Sequence, residues 1–111
     1  MNEEQVLSQI LEDEGLTSDL DEAEATRLTN ALLAQAKVIV QQAHSDDEGW
    51  TRIKALRQRG RQIASIVATY RDDGPEKAQQ RALQAKLPWP SKPPATASQL
   101  LEQLLAIREG T

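Results

Sequence analysis

The sequence predicts an all-α fold, a small helical bundle with two long antiparallel helices and shorter helices packed across them. Three observations predict it. Apolar residues recur at three- and four-residue spacings along most of the chain, and the period-two alternation of strands does not appear. Helix-start signatures precede each of these runs. The break between the two longest runs, AHSDDE, is short enough to force the second back alongside the first. At 111 residues the chain is one domain's worth, residues 1–111, with a Pro-rich linker at 88–95 leading to a C-terminal helix at 97–109.

Asn2 is a candidate N-cap with Gln5 three residues on, and QVLSQIL puts Val6, Leu7, Ile10 and Leu11 on one side of a short first helix. Gly15 suits the position just past its end. TSDLDEAEA then supplies caps and first-turn acids for a long second helix over residues 20–43. Ser45 and Glu48 form a capping box that opens a third helix, 48–71. DDGPEK ends it, and Pro75 fits the first turn of a fourth helix reaching Leu87. After the prolines, Thr96 and Gln99 make another capping box, and Gly110 closes the last helix.

At about 100° per residue, Val38, Ala31, Leu28, Ile39, Leu32, Ala36, Val40 and Leu33 sweep roughly 220° of the second helix. A surface helix needs about half that, so this one is expected to be central or shared with another subunit. Leu33 and Val40 lie at one edge of the arc and are the expected contacts to a second copy. On the third helix Ile53, Leu56, Gly60, Ile63, Ala64, Val67 and Tyr70 make a narrower stripe, about 120° wide. Gly60 inside it is either a tolerated weak point or a place where a neighbouring helix comes close. QVLSQIL and QLLEQLL share one pattern, from convergence of amphipathic helices or because the terminal helices dock in similar ways.

Hydrophobic residues make up 39% and charged residues 27%, the balance of a soluble globular chain. Aromatics are only 3%, so Leu, Ile, Val and Ala must build the core, and association with a second copy is a natural way to bury more area. The absence of cysteine removes disulfides, thiolate chemistry and zinc–thiolate sites. The first residues lack the basic and apolar regions of a signal peptide, and no apolar run approaches the roughly 20 residues that cross a bilayer. A cytoplasmic protein without a membrane partner is expected.

Charge is unevenly distributed. Residues 1–48 carry twelve acids against Arg27 and Lys37, whereas residues 49–111 carry eleven bases against five acids, so the halves stand at −10 and +6. The basic run RIKALRQRGRQ contains Arg52, Lys54, Arg57, Arg59 and Arg61. Lys54, Arg57 and Arg61 fall on one flank of the apolar stripe and Arg52 and Arg59 on the other, which suits pairing with acids of neighbouring helices better than docking on nucleic acid. A nucleic-acid-binding regulator built on this helix is the alternative. His44 lacks partners at metal-ligand spacing and sits where a helix C-terminus favours a cation. Carboxylates cluster at residues 12–14, 19–24 and 46–48, where caps, dipoles and solvation account for them. A metal-dependent phosphohydrolase would need them to converge from facing helices. No catalytic residue, metal site or cofactor is expected.

KLPWPSKPP holds four of the five prolines around one of two tryptophans. Trp89, Pro90 and Pro93 either present a Pro-x-x-Pro motif to an aromatic-lined groove or dock as an anchor, Trp89 against the long helices. The preferred function is a non-enzymatic protein-interaction module, an adaptor or assembly factor working as a homodimer.

Overall fold

The computed structural model describes residues 1–92 and 94–106, which form five α-helices and no strand: an all-α bundle. Helix α1 spans Glu3–Leu11, α2 Glu22–Gln42, α3 Asp46–Asp73, α4 Pro75–Gln84 and α5 Ala97–Ala106, with a 3₁₀ turn at Glu14–Leu16. Polar caps set most starts. The Asn2 side chain accepts from the Glu4 N–H, Ser45 Oγ from Glu48, and Thr96 Oγ1 from Gln99. Asp21 and Glu24 form a reciprocal capping box, so α2 begins at Glu22 and not at residue 20. Helix α3 is longer than expected, starting directly after Ser45 and running to Asp73. Gly15 does not cap α1, which stops at Leu11; it sits in the 3₁₀ turn instead. The expected end of the last helix, 107–109 with Gly110, lies outside the described residues, as does Pro93.

Helices α2 and α3 run antiparallel, joined at Ala43–Ser45. Glu24 meets Arg71 at one end of the pair, and Gln42 meets Arg52 at the other. Between them the helices come close at Gly60, where a Cβ would stand 2.7 Å from Leu32 Cδ1 and 3.3 Å from Leu16 Cδ1. The missing side chain lets α2 and the 3₁₀ turn settle on α3. At 28 residues and about 1.5 Å per residue, α3 accounts for the 41 Å long axis of the molecule.

The central element is α3, and not α2 as the wide apolar arc suggests. Helix α2 buries Leu28, Leu32, Ala36 and Ile39, while Leu33, Ala31 and Val40 are half-buried and Val38 is 47% exposed. Helix α3 packs against α2, α4, α5 and the 3₁₀ turn. Its second half is buried on several sides, with Ile66, Ala68 and Thr69 joining the expected stripe. The fourth helix causes this. Gly74, at φ 97°, ends α3 and starts α4, which folds back so that Arg81 Nη1 donates to Ser65 Oγ over the polar side of α3.

Helix α4 stops at Gln84, short of Leu87. Lys86 takes the left-handed conformation, φ 58°, its N–H donating to the Leu83 carbonyl and that of Leu87 to Ala82. This is a Schellman cap closed by Leu87, which is buried against the core. Helix α5 then buries Leu100, Leu101 and Leu104 against α2 and α3. At roughly 1.5–3 kcal/mol for each such side chain, that contact is a large share of the stability of a domain this size.

Candidate interaction surfaces

Helix α1 lies along the loop half of the α2–α3 pair. Val6 and Ile10 are buried, and Gln9 and Asp13 reach α3. The face bearing Gln9 therefore turns towards α3. By helical register Leu7 and Leu11 lie past the buried stripe on the other side, towards α2. On α2, Arg27 pairs with Glu102 of α5 at 2.8 Å, so that flank faces α5. Leu33 and Val40 lie on the opposite flank, where α1 docks. Leu7, Leu33 and Val40 are half-buried against the core, and Leu11 is 61% exposed. The outer edge of the α1–α2 seam is thus an apolar strip of four residues. Leu33 and Val40 were legible as its α2 side. Leu7 and Leu11 read from the sequence as core, although a nine-residue helix with four apolar residues spread over about 140° is wider than its contact requires.

The α1 and α5 patterns can now be matched position by position. Val6 and Ile10 correspond to Leu100 and Leu104, and all four are buried. Leu7 and Leu11 correspond to Leu101 and Leu105, of which the first is buried and the second half-buried. The same pattern docks in the same register at both ends of the chain, but on α1 its second apolar row is less covered, with Leu7 half-buried and Leu11 exposed.

Compared with models of known families, with curated proteins and with solved structures, the chain matches none significantly. Its own surface chemistry carries the functional reading.

The basic residues divide by flank. Arg57 Nη2 and Arg61 Nη2 both donate to Asp13 Oδ2, the first at 2.9 Å and the second at 2.5 Å, and Arg57 Nη1 reaches Gln9 Oε1 at 3.4 Å. Asp13 is only 10% exposed, and its hydrogen bond from Arg57, with Arg61 beside it, holds its carboxyl below the usual carboxylate range. It is an ion-pair partner and not a merely solvated acid of the 12–14 cluster. On the other flank Arg52 Nη2 reaches Gln42 Oε1 at 3.4 Å, and Arg59 is half-buried. Lys54 is exposed, with no hydrogen bond or ion pair among the described residues.

Glu24 and Glu48 have local duties. Glu24, 2% exposed, accepts from Arg71 Nη1 at 2.7 Å and from the Asp21 N–H, and Arg71 Nη2 also donates to the Asp19 carbonyl. Glu48 accepts from the His44 N–H, and His44 itself is exposed. Among the described residues no three His, Asp or Glu side chains gather closely enough to hold a metal ion. Among them, too, no helix is long and apolar enough to cross a membrane.

In the Pro-rich segment Trp89 and Pro90 are half-buried. The Trp89 ring packs on the core and meets Tyr70 at 6.3 Å between centroids, tilted by 50°. The Tyr70 hydroxyl donates to the Pro94 carbonyl, tying the end of the segment to α3. An open polar groove of about 520 Å³ separates Trp50 from the Asn2, Gln5 and Gln9 side of α1.

Proposed function

We propose that this chain is a non-enzymatic protein-interaction module, an adaptor or assembly factor that works as a homodimer through the α1–α2 seam. The observation that carries the reading is the partly covered second row of α1, half-buried Leu7 and exposed Leu11, lying beside Leu33 and Val40 of α2. In the same row on α5 Leu101 is fully buried and Leu105 is half-buried. A strip that runs along two neighbouring helices is self-complementary under a two-fold axis, because each copy offers the other the same ridge and groove. An aromatic-poor core adds a reason for burying more leucine surface between copies.

Sedimentation tests the reading. The parent is expected to sediment as a dimer at tens of micromolar, and Leu11→Glu and Leu33→Glu each as a smaller species with helix content intact, because a buried carboxylate opposes association. A parent that is monomeric at that concentration overturns the proposal.

A further inference from the structure

The charges on the outer side of α3 do not balance. Lys54, Arg57 and Arg61 line one open groove of about 360 Å³ together with Thr51, Ala55 and Gln58. Among the described residues Asp13 is the one carboxylate paired with any of them, so three positive charges face one negative charge and two are left over. Donors are left over as well. Lys54 has no partner among the described residues, and Arg61, 47% exposed, uses only Nη2 there. The Nε–H of Arg57 is buried with no acceptor. That donor is closed off from the groove, so the donors the groove itself offers are those of Lys54 and Arg61.

We infer that this groove binds a phosphomonoester, seated between Lys54 and Arg61 against the Arg57 guanidinium. Charge selects the ligand, because a phosphomonoester near neutral pH carries about −1.5 to −2, the size of the local excess. Geometry agrees with it. Arg61, fixed in place by Asp13 through Nη2 alone, keeps its Nη1–H and Nε–H for the fork that tetrahedral phosphate oxygens accept, whereas both Nη atoms of Arg57 are spent on Gln9 and Asp13. Asp13 thus positions both arginines and leaves the pair one positive charge in excess. Gln58, exposed on the same face, adds amide donors. The Thr51 hydroxyl does not donate to the ligand, since it is spent on the Asp47 carbonyl at 2.8 Å. A phosphodiester backbone would need the cations to continue as a track; beyond the groove α3 itself offers only neutral Gln62 and Ser65, and the next cation, Arg81 of α4, has its Nη1 turned onto Ser65 Oγ at 3.1 Å. The proposal is independent of the dimer strip, which lies on the α2 side of α1.

Titration of the full chain with inorganic phosphate and with ribose 5-phosphate, followed by amide and arginine Nε–H nuclear magnetic resonance, tests it. Saturable shifts confined to Thr51, Lys54, Arg57, Gln58 and Arg61 are expected, with the Arg61 Nε–H moving most, while chloride at matched ionic strength leaves them in place. Lys54→Gln removes one charge-assisted hydrogen bond and is expected to weaken binding about tenfold. Its melting temperature stays that of the parent, because Lys54 holds nothing in the fold. Three results overturn the inference: no saturable shift, shifts reproduced by chloride, or shifts scattered over Arg52, Lys77 and Arg81. Tighter, steeply salt-dependent binding of a short random duplex would likewise replace it with a nucleic-acid contact.

Discussion

Lys86 stands at φ 58°, a conformation in which a Cβ crowds the following carbonyl, and glycine is the residue that avoids the cost. Lys86→Gly is therefore expected to stabilise the protein by about 0.5–1 kcal/mol. In a thermal melt this raises the midpoint, by about 4–8 °C per kcal/mol for a domain of this size. An unchanged or lower midpoint would mean that the strain is relieved elsewhere. Asp13 carries a pH signature. Its folded carboxyl is held below the ordinary value by Arg57, so its stabilising effect is fully present above the unfolded value of about 3.9 and fades as pH falls through the lower folded value. The melting midpoint of Asp13→Asn should accordingly lie below that of the parent at neutral pH, and the gap should narrow below about pH 4. Capping residues such as Ser45, Thr96 and Asn2 could be read from the sequence because each acts within three residues of itself. Asp13 could not, because its partners lie 44 and 48 positions away and only the docking of α1 brings them together.

At the scale of elements, the segment between α4 and α5 behaves as a strap. Trp89 rests on Tyr70 and the core, and the Tyr70 hydroxyl holds Pro94, so both ends of the prolines are fixed to the fold. The ring is half-buried. Trp89→Ala is expected to cost about 1–2 kcal/mol, less than the ~3–5 kcal/mol of a fully buried aromatic. In a Trp50→Phe background its fluorescence should be intermediate in both emission maximum and quenching by iodide. Emission and quenching equal to those of free tryptophan, with stability unchanged, would return the segment to the role of an exposed recognition motif. Prolines announced a non-helical stretch there. The sequence did not reveal where α4 ends, because Leu83, Leu87 and the intervening residues continue a helical pattern. The left-handed turn at Lys86 leaves no mark in residue type.

At the scale of the molecule, the α2–α3 pair and its antiparallel sense were legible from two periodic runs and a short break. The identity of the central helix was not. The arc on α2 counted every apolar residue equally, yet Val38 is on the surface and Leu33 and Val40 are only half-covered. On α3 the decisive residues are Ala68 and Thr69, small or polar enough to pass as a solvent face. They become core because Gly74 turns α4 back onto them, a tertiary event that no window on α3 contains. The same limit applies to the surface: the basic flank could be read as paired, but the surplus of two charges over Asp13 appears only once the pairs are counted in space.

The three-residue connection at Ala43–Ser45 also bears on the order of events in time. Closing so short a loop costs little chain entropy, so α2 and α3 can meet through local contacts around Leu32 and Gly60 before either end of the chain is fixed. Helices α1 and α5 join a hairpin already formed, and α1, with two buried side chains against three on α5, is the less firmly held of the two. It is the element expected to open first from the native state. Amide hydrogen exchange should show this ordering, with the α1 amides exchanging through a low-energy opening and those near Leu32 and Ile63 only on global unfolding. Equal protection in both regions would mean that the molecule opens as one unit. An opening of α1 that carried Asp13 away from Arg57 and Arg61 would leave three cations with no carboxylate and two arginines no longer held, so opening of α1 and anion binding in the basic groove are expected to be coupled.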